Sequence, residues 1–239
     1  MKIFVDTQEN AAKAVAAKYV ELLAKKPDAV LGFATGSTPL GLYAELAKLC
    51  SENKISFKNV STFNLDEYLG LDGTHDQSYR YFMDKNLFEK IDIDITRTRV
   101  PSGVDTDPEK AAQYDKDIEA AGGIELQLLG LGNNGHIGFN EPGTPFGSVT
   151  HIVELTDSTR QANKRFFNSI DEVPTHSVTM GIKTVMNARK IILMAFGKGK
   201  ADIVKKFIRG EVTPEVPASV LQLHPDVEVY LDFDAASLL

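Results

Sequence analysis

ELQLLGLGNNGHIGFNEPG, Glu125 to Gly143, decides how the chain is read. Its first half is an apolar run of strand length with apolar residues on both faces, as in a strand buried in a sheet that helices cover on each side. Gly130, Gly132 and Gly135 then match the G-x-G-x-x-G spacing of a dinucleotide-binding loop, and Glu154 lies at a tolerable distance for the acid that holds a ribose. Such a loop must open a helix that packs on the sheet. Gly135 leads instead into HIGFNEPGTPFGSV, in which Gly138, Pro142, Gly143, Pro145 and Gly147 cannot sustain a helix. The fingerprint therefore fails its own test. It leaves a glycine-rich turn presenting His136 and, five residues later, Glu141 beside a strand end. A lone histidine is more often structural than catalytic, but a carboxylate able to orient its ring and favour its charged form makes it an acid–base candidate.

Outward from this stretch, short apolar runs alternate with amphipathic ones. AVLGFAT, VSTFNL, SVTMGI, KIILMAFG and VEVYLDF join ELQLLGLG as predicted strands, and their two-sided apolar character implies a parallel sheet. Helices are predicted over about 8–25, from Pro39, Ser78 and Pro108, over STRQANKRFFNSI from Ser158, and from Lys200. Gly122 and Gly210 stand where helix ends favour a residue free to adopt positive φ, and Pro39 and Pro108 stand at first-turn positions. No repeat or linker-like stretch interrupts the pattern. The expectation is one α/β domain over residues 1–239, doubly wound and Rossmann-like, with a mainly parallel sheet flanked by helices.

Composition narrows the function classes. Of 239 residues, 43% are hydrophobic and 25% charged, an ordinary balance for a soluble globular chain. No apolar run is long enough to span a bilayer, and MKIFVDTQEN has no apolar segment of the kind that directs export. Cys50, the single cysteine, excludes an internal disulfide framework and fits the cytoplasm. A net charge of −7 with interspersed signs argues against a nucleic-acid partner. His75, His136, His151, His176 and His224 show no paired spacing of the kind that holds a metal.

Ligands of open sheets bind beyond the carboxyl ends of strands, so the segments after each strand are the candidates. In ATGSTPLGLY, the small residues Gly36, Ser37 and Thr38 precede a helix, which suits a phosphate cradle; a helix capped by Ser37 or Thr38 is the competing reading. It is not a Walker loop, because no lysine comes after the glycine. Asp66 and Glu67 come directly after a strand in FNLDEYLGL, where partial burial raises a carboxylate toward a useful base; solvated loop acids are the commoner case. Arg160, Lys164, Arg165, Lys198 and Lys200 supply positive charge, and two of them near strand ends would close a phosphate site opposite the TGSTP loop.

TGSTPLGLY, FNLDEYLGL, GLGNNGHIGFNEPG, TRQANKRFF and the late LQLHP resemble, in order and over essentially the whole chain, the motifs of glucosamine-6-phosphate deaminases. The resemblance implies an amino-sugar phosphate substrate, conversion of glucosamine 6-phosphate and water to fructose 6-phosphate and ammonia in amino-sugar catabolism, and neither metal nor organic cofactor. It implies His136 as the ring-opening group oriented by Glu141, Asp66 as the carboxylate moving a proton between C2 and C1, and Gly36, Ser37, Thr38, Arg165 and Lys200 around the phosphate. One departure from the resemblance stands out: well-known family members carry an aspartate before the Gly-His pair, and here Asn134 takes that place. An amide still orients His136 but brings no charge. The chain also ends at DFDAASLL, without the longer tail of allosteric hexameric members, which favours a monomer. The related 6-phosphogluconolactonases, which hydrolyse a lactone, and a non-catalytic sugar-phosphate sensor are the alternatives.

Overall fold

The computed structural model describes residues 1–239. In chain order the elements are β1 (Lys2–Val5), α1 (Gln8–Lys25), β2 (Val30–Phe33), α2 (Leu40–Ser51), β3 (Ser61–Asn64), β4 (Asp66–Tyr68), α3 (Tyr79–Asn86), β5 (Thr98–Arg99) and α4 (Pro108–Ala120). Next come β6 (Leu126–Leu129), β7 (His151–Glu154), α5 (Asp157–Asn163), β8 (His176–Thr179), α6 (Ile182–Met186), β9 (Lys190–Ala195), α7 (Ala201–Arg209) and β10 (Val227–Leu231). β2, β6 and β10 are buried at every residue, as their unbroken apolar runs require.

Seven strands form a wholly parallel sheet in the order β1-β10-β9-β6-β2-β3-β5. From β2 the chain winds outward through β3 to β5, and from β6 it winds the other way through β9 and β10. The order therefore reverses between β2 and β6, and the crevice beyond their carboxyl ends is where such a sheet binds ligands. The segments leaving these two strands are TGSTP and GLGNNGH. One continuous apolar cluster of 50 buried residues holds this sheet and its helices together.

Local chemistry explains most boundaries. Thr7, Ser78, Asp107 and Thr156 each accept a backbone N–H in the first turn of α1, α3, α4 and α5, the usual use of such residues at a helix start. Pro108 is the first residue of α4, and Gly122 takes φ +99° after its end.

Several expectations need correction. SVTMGI supplies β8, which pairs antiparallel with β4 and β7 in a second, three-stranded sheet and not with the parallel one. Val178 is buried and Met180 joins the main apolar core, so burial disguised the direction of pairing. The helix from Ser158 is α-helical only through Asn163 and closes with a single 3-10 turn over Lys164–Phe166. Gly210 has φ −80°, a conformation open to any residue. Pro39 is the cap of α2 and not a first-turn residue, and no side chain caps that helix, which removes the competing role for Ser37 and Thr38. β1, β4, β5 and β7 escaped the sequence reading because they are short or, like β1, exposed along their whole length.

Candidate active site

After β6 the chain forms a tight turn and no helix before α5, as the glycines and prolines dictate. Gly132 donates to the His136 carbonyl at 2.9 Å, and Gly135, at φ +90°, donates to the Gly132 carbonyl at 3.0 Å. A Cβ at Gly132 would stand 2.3 Å from His136 Cδ2, so the imidazole occupies the space a side chain would fill. Gly138 has φ +58°, and a Cβ there would lie 2.8 Å from Thr179 Oγ1 and 3.4 Å from Asp66 Oδ2. The glycines thus shape a turn that seats the histidine ring and brings its loop against Asp66.

Glu141 is the hub of this turn. Thr159, buried on α5, donates to its Oε1 at 2.5 Å, and Asn134 Nδ2 donates to its Oε2 at 2.5 Å. Thr156 reaches Oε1 at the longer distance of 3.4 Å. His136 Nδ1 faces the same Oε2 at 3.5 Å, an ion-pair separation too long for a formed hydrogen bond, and Nδ1 has no other partner. Asn134 also accepts the His136 backbone N–H through Oδ1 at 3.2 Å, so it braces both partners. Burial pushes the Glu141 carboxyl up, but the neighbouring His136 together with the Thr159 and Asn134 donors outweighs it and holds the group at about 2.

Asp66 stands in the opposite environment. It opens β4, is buried, and accepts no hydrogen bond; desolvation and then the Glu67 charge push its carboxyl up to about 8. Glu67 points into the fold and ties down α3, with Oε1 accepting the N–H groups of Tyr68 and Tyr79 at 2.8 Å and Oε2 that of Arg80 at 2.9 Å. Burial raises Glu67 as well, against those three donors. Neither acid is a solvated loop carboxylate.

Of the basic candidates, Lys200 is tied to the strand end that leads into the His136 loop. Lys200 Nζ donates to the Leu131 carbonyl at 2.5 Å, and burial, aided by the charge of Arg165, lowers its pKa to about 8. The turn leading to Lys200 is fixed by Asp232, whose two carboxylate oxygens each accept the Gly197 N–H at 2.9 Å. Two mutually repelling cations suit an anion. Gly36, at φ +94°, with Ser37 and Thr38 forms a separate wall: both hydroxyl residues line a cavity of about 300 Å³ with Gln8, Lys13 and Phe196, and they share no hydrogen bond with Arg165 or Lys200. The structure therefore gathers Asp66, Asn134, His136 and Glu141 around one turn and ties Lys200 to the residue that enters it. Thr159 and Thr156 escaped the sequence reading: in TDSTR they read as ordinary helix-start residues, and nothing local announces their bond to Glu141. His224 fills a structural role, Nε2 meeting the Ala188 carbonyl and Nδ1 accepting the Asp226 N–H. No group of three or more His, Cys, Asp or Glu side chains is placed to hold a metal ion, and no helix is long and apolar enough to cross a membrane.

Fold and side chains together place two buried carboxyls of opposed character and a histidine at the switch point of a doubly wound α/β protein. The chain belongs to the family of glucosamine-6-phosphate isomerases and 6-phosphogluconolactonases, whose model matches residues 5–230. It is 50% identical to a glucosamine-6-phosphate deaminase of Bacillus pumilus (strain SAFR-032), covering 98% of this chain and 97% of that one. A solved monomeric glucosamine-6-phosphate deaminase superposes with a TM-score of 0.97 at 44% identity, each chain covered in full. The 6-phosphogluconolactonase of Trypanosoma brucei shares the fold, with a TM-score of 0.79 at 20% identity over 100% of this chain and 98% of that one.

Proposed function

We propose that this chain is a glucosamine-6-phosphate deaminase, a single domain over residues 1–239 that converts glucosamine 6-phosphate and water to fructose 6-phosphate and ammonia. The observation that carries the choice over lactone hydrolysis is Asp66: a buried carboxyl with no hydrogen-bond donor, pushed up to about 8, against the loop that bears His136. Hydrolysis of a lactone needs no base over two adjacent carbons. Isomerisation does.

His136 takes the proton of the anomeric hydroxyl and supplies one to the ring oxygen, opening the sugar, while Glu141 presents an anion to the imidazole. Ionised Asp66 removes the C2 proton of the open aldehyde and returns it to C1, while the aldehyde oxygen gains a proton and the amino nitrogen loses one, which leaves an imine at C2. Water adds there and ammonia departs, so the atoms balance with one water consumed. Arg165 and Lys200, with the N–H groups and hydroxyls of Gly36, Ser37 and Thr38, hold the phosphate and align the flexible open chain. The protein acts as a monomer in the cytoplasm, a reading supported by the solved monomeric relative and the bacterial source of the 50% identical deaminase.

The test measures ammonia and fructose 6-phosphate released from glucosamine 6-phosphate, with 6-phosphogluconolactone hydrolysis alongside. Equal yields of both products, abolished in Asp66→Asn, support the reading. Lactone turnover with silence on the amino sugar sinks it.

A further inference from the structure

Glu141 is held from two parts of the chain that have no sequence relation. Asn134 grips Oε2 from within the glycine turn, and Thr159 grips Oε1 from α5. Thr159 is buried, and its own hydroxyl is approached by that of Thr156 at 3.1 Å, the residue whose side chain starts the helix. A carboxylate clamped at both oxygens cannot rotate about its terminal bond, so Oε2 stays turned toward His136 Nδ1. Removing the Thr159 bond leaves Oε1 only the long 3.4 Å contact from Thr156, and the carboxylate is then free to swing about the Asn134 contact. The helix that carries Thr159 runs directly into the 3-10 turn that carries Arg165. One short segment therefore bears both the clamp on the ring-opening pair and a cation of the phosphate site.

We propose that Thr159 is a positioning residue for ring opening, acting through Glu141 on His136. The inference rests on the deaminase reading. Thr159 touches no reacting atom, so its loss slows the chemical step and leaves substrate capture intact. A hydrogen bond to a carboxylate is among the stronger kinds, and its loss here translates into a fall in kcat on the order of tenfold.

The experiment compares wild type with Thr159→Val, which keeps the shape and removes the donor, and Thr159→Ser, which restores it. Ammonia release from glucosamine 6-phosphate gives kcat and KM, and competition by inorganic phosphate reports the anion site. Expected is a kcat roughly tenfold lower in Thr159→Val, with KM and phosphate inhibition within about twofold of wild type and Thr159→Ser close to normal. Unchanged kcat overturns the proposal. So does a rise in KM and loss of phosphate inhibition at normal kcat, or a serine variant as slow as the valine one. Should Thr159→Val fail to fold, Thr159→Cys, similar in volume and a weak donor, is read by the same criteria. Wild type that releases no ammonia would sink the deaminase reading instead, leaving the two failures distinct.

Discussion

Asp66 and Glu141 are both buried carboxyls, one at the start of β4 and one in the turn after β6, and burial alone drives both upward. They end far apart, at about 8 and about 2. The difference lies in donors: Glu141 receives Thr159 and Asn134 and faces His136, whereas Asp66 receives nothing and has Glu67 next in sequence. Desolvation is thus the shared background, and hydrogen bonding decides which carboxyl is held down as an anion and which is left pushed up.

The largest effect that can break this contrast comes from Asp66→Asn. A positioned acid–base group contributes about 10²–10⁴ in rate, so the variant should lose at least that range of kcat on glucosamine 6-phosphate. Its stability should move the other way. Asp66 titrates near 3.8 when unfolded and near 8 when folded, so the folded state holds an extra proton between those values and stability falls as pH rises through the window. The amide escapes that loss, and thermal unfolding at pH 8 should show a higher Tm for Asp66→Asn than for wild type. A lower Tm would mean that the carboxylate is satisfied in solution and that the contrast with Glu141 is false. Next in size is Gly132→Ala. Its methyl group claims the space of the His136 ring, and displacement by about an ångström costs on the order of 10²-fold in kcat, with circular dichroism unchanged. Retained activity would show that the ring is not used where it sits.

How far each feature was legible in the sequence depends on the range over which it is written. The failed nucleotide fingerprint is local, and Pro142, Pro145 and the glycines around them sufficed to assign a turn with His136 and Glu141 in it. The helix starts at Ser78 and Pro108 are local too, and they hold in the structure. Asp66 is legible as a residue at a strand end, but its burial depends on β8 and on the approach of Gly138, both more than 70 residues away in the chain. Thr159 is invisible for the same reason: its partner is tertiary, and a Thr near a helix start already has an ordinary explanation. The antiparallel direction of β8 leaves no mark on an apolar run, because periodicity reports burial and not pairing. The roles given to the phosphate-site residues came from the family resemblance, since a lysine or arginine in a sequence is only a charge.

A smaller effect separates Asp66 from the Lys200 cation. Asp66 must be ionised and Lys200 protonated, and both titrate at about 8, so kcat/KM should peak near that pH and fall on either side, about tenfold per unit well below the peak. Lys200→Arg keeps the charge far into the alkaline range. Comparing its profile with that of wild type cancels the titrations of the substrate itself, and the alkaline limb should move out while the acid limb stays. Movement of the acid limb instead would tie Lys200 to the base and not to the phosphate.

The smallest predicted effect concerns Asn134, the amide that bridges Glu141 and His136. The amide spends its donor on Glu141 Oε2 at 2.5 Å and its acceptor on the His136 N–H at 3.2 Å. An aspartate keeps the second contact and replaces the first with two facing carboxylate oxygens, which cannot both be ionised at that distance without strain. The pair keeps a single negative charge while it shares a proton and gains a second once that proton leaves, a charge that opposes ionisation of Asp66, the group that sets the acid limb. Asn134→Asp should therefore shift the acid limb of the pH–rate profile to higher pH while activity at the optimum changes only a few-fold. If the limb does not move, the position is uncoupled from the acid–base groups of the site, His136 included.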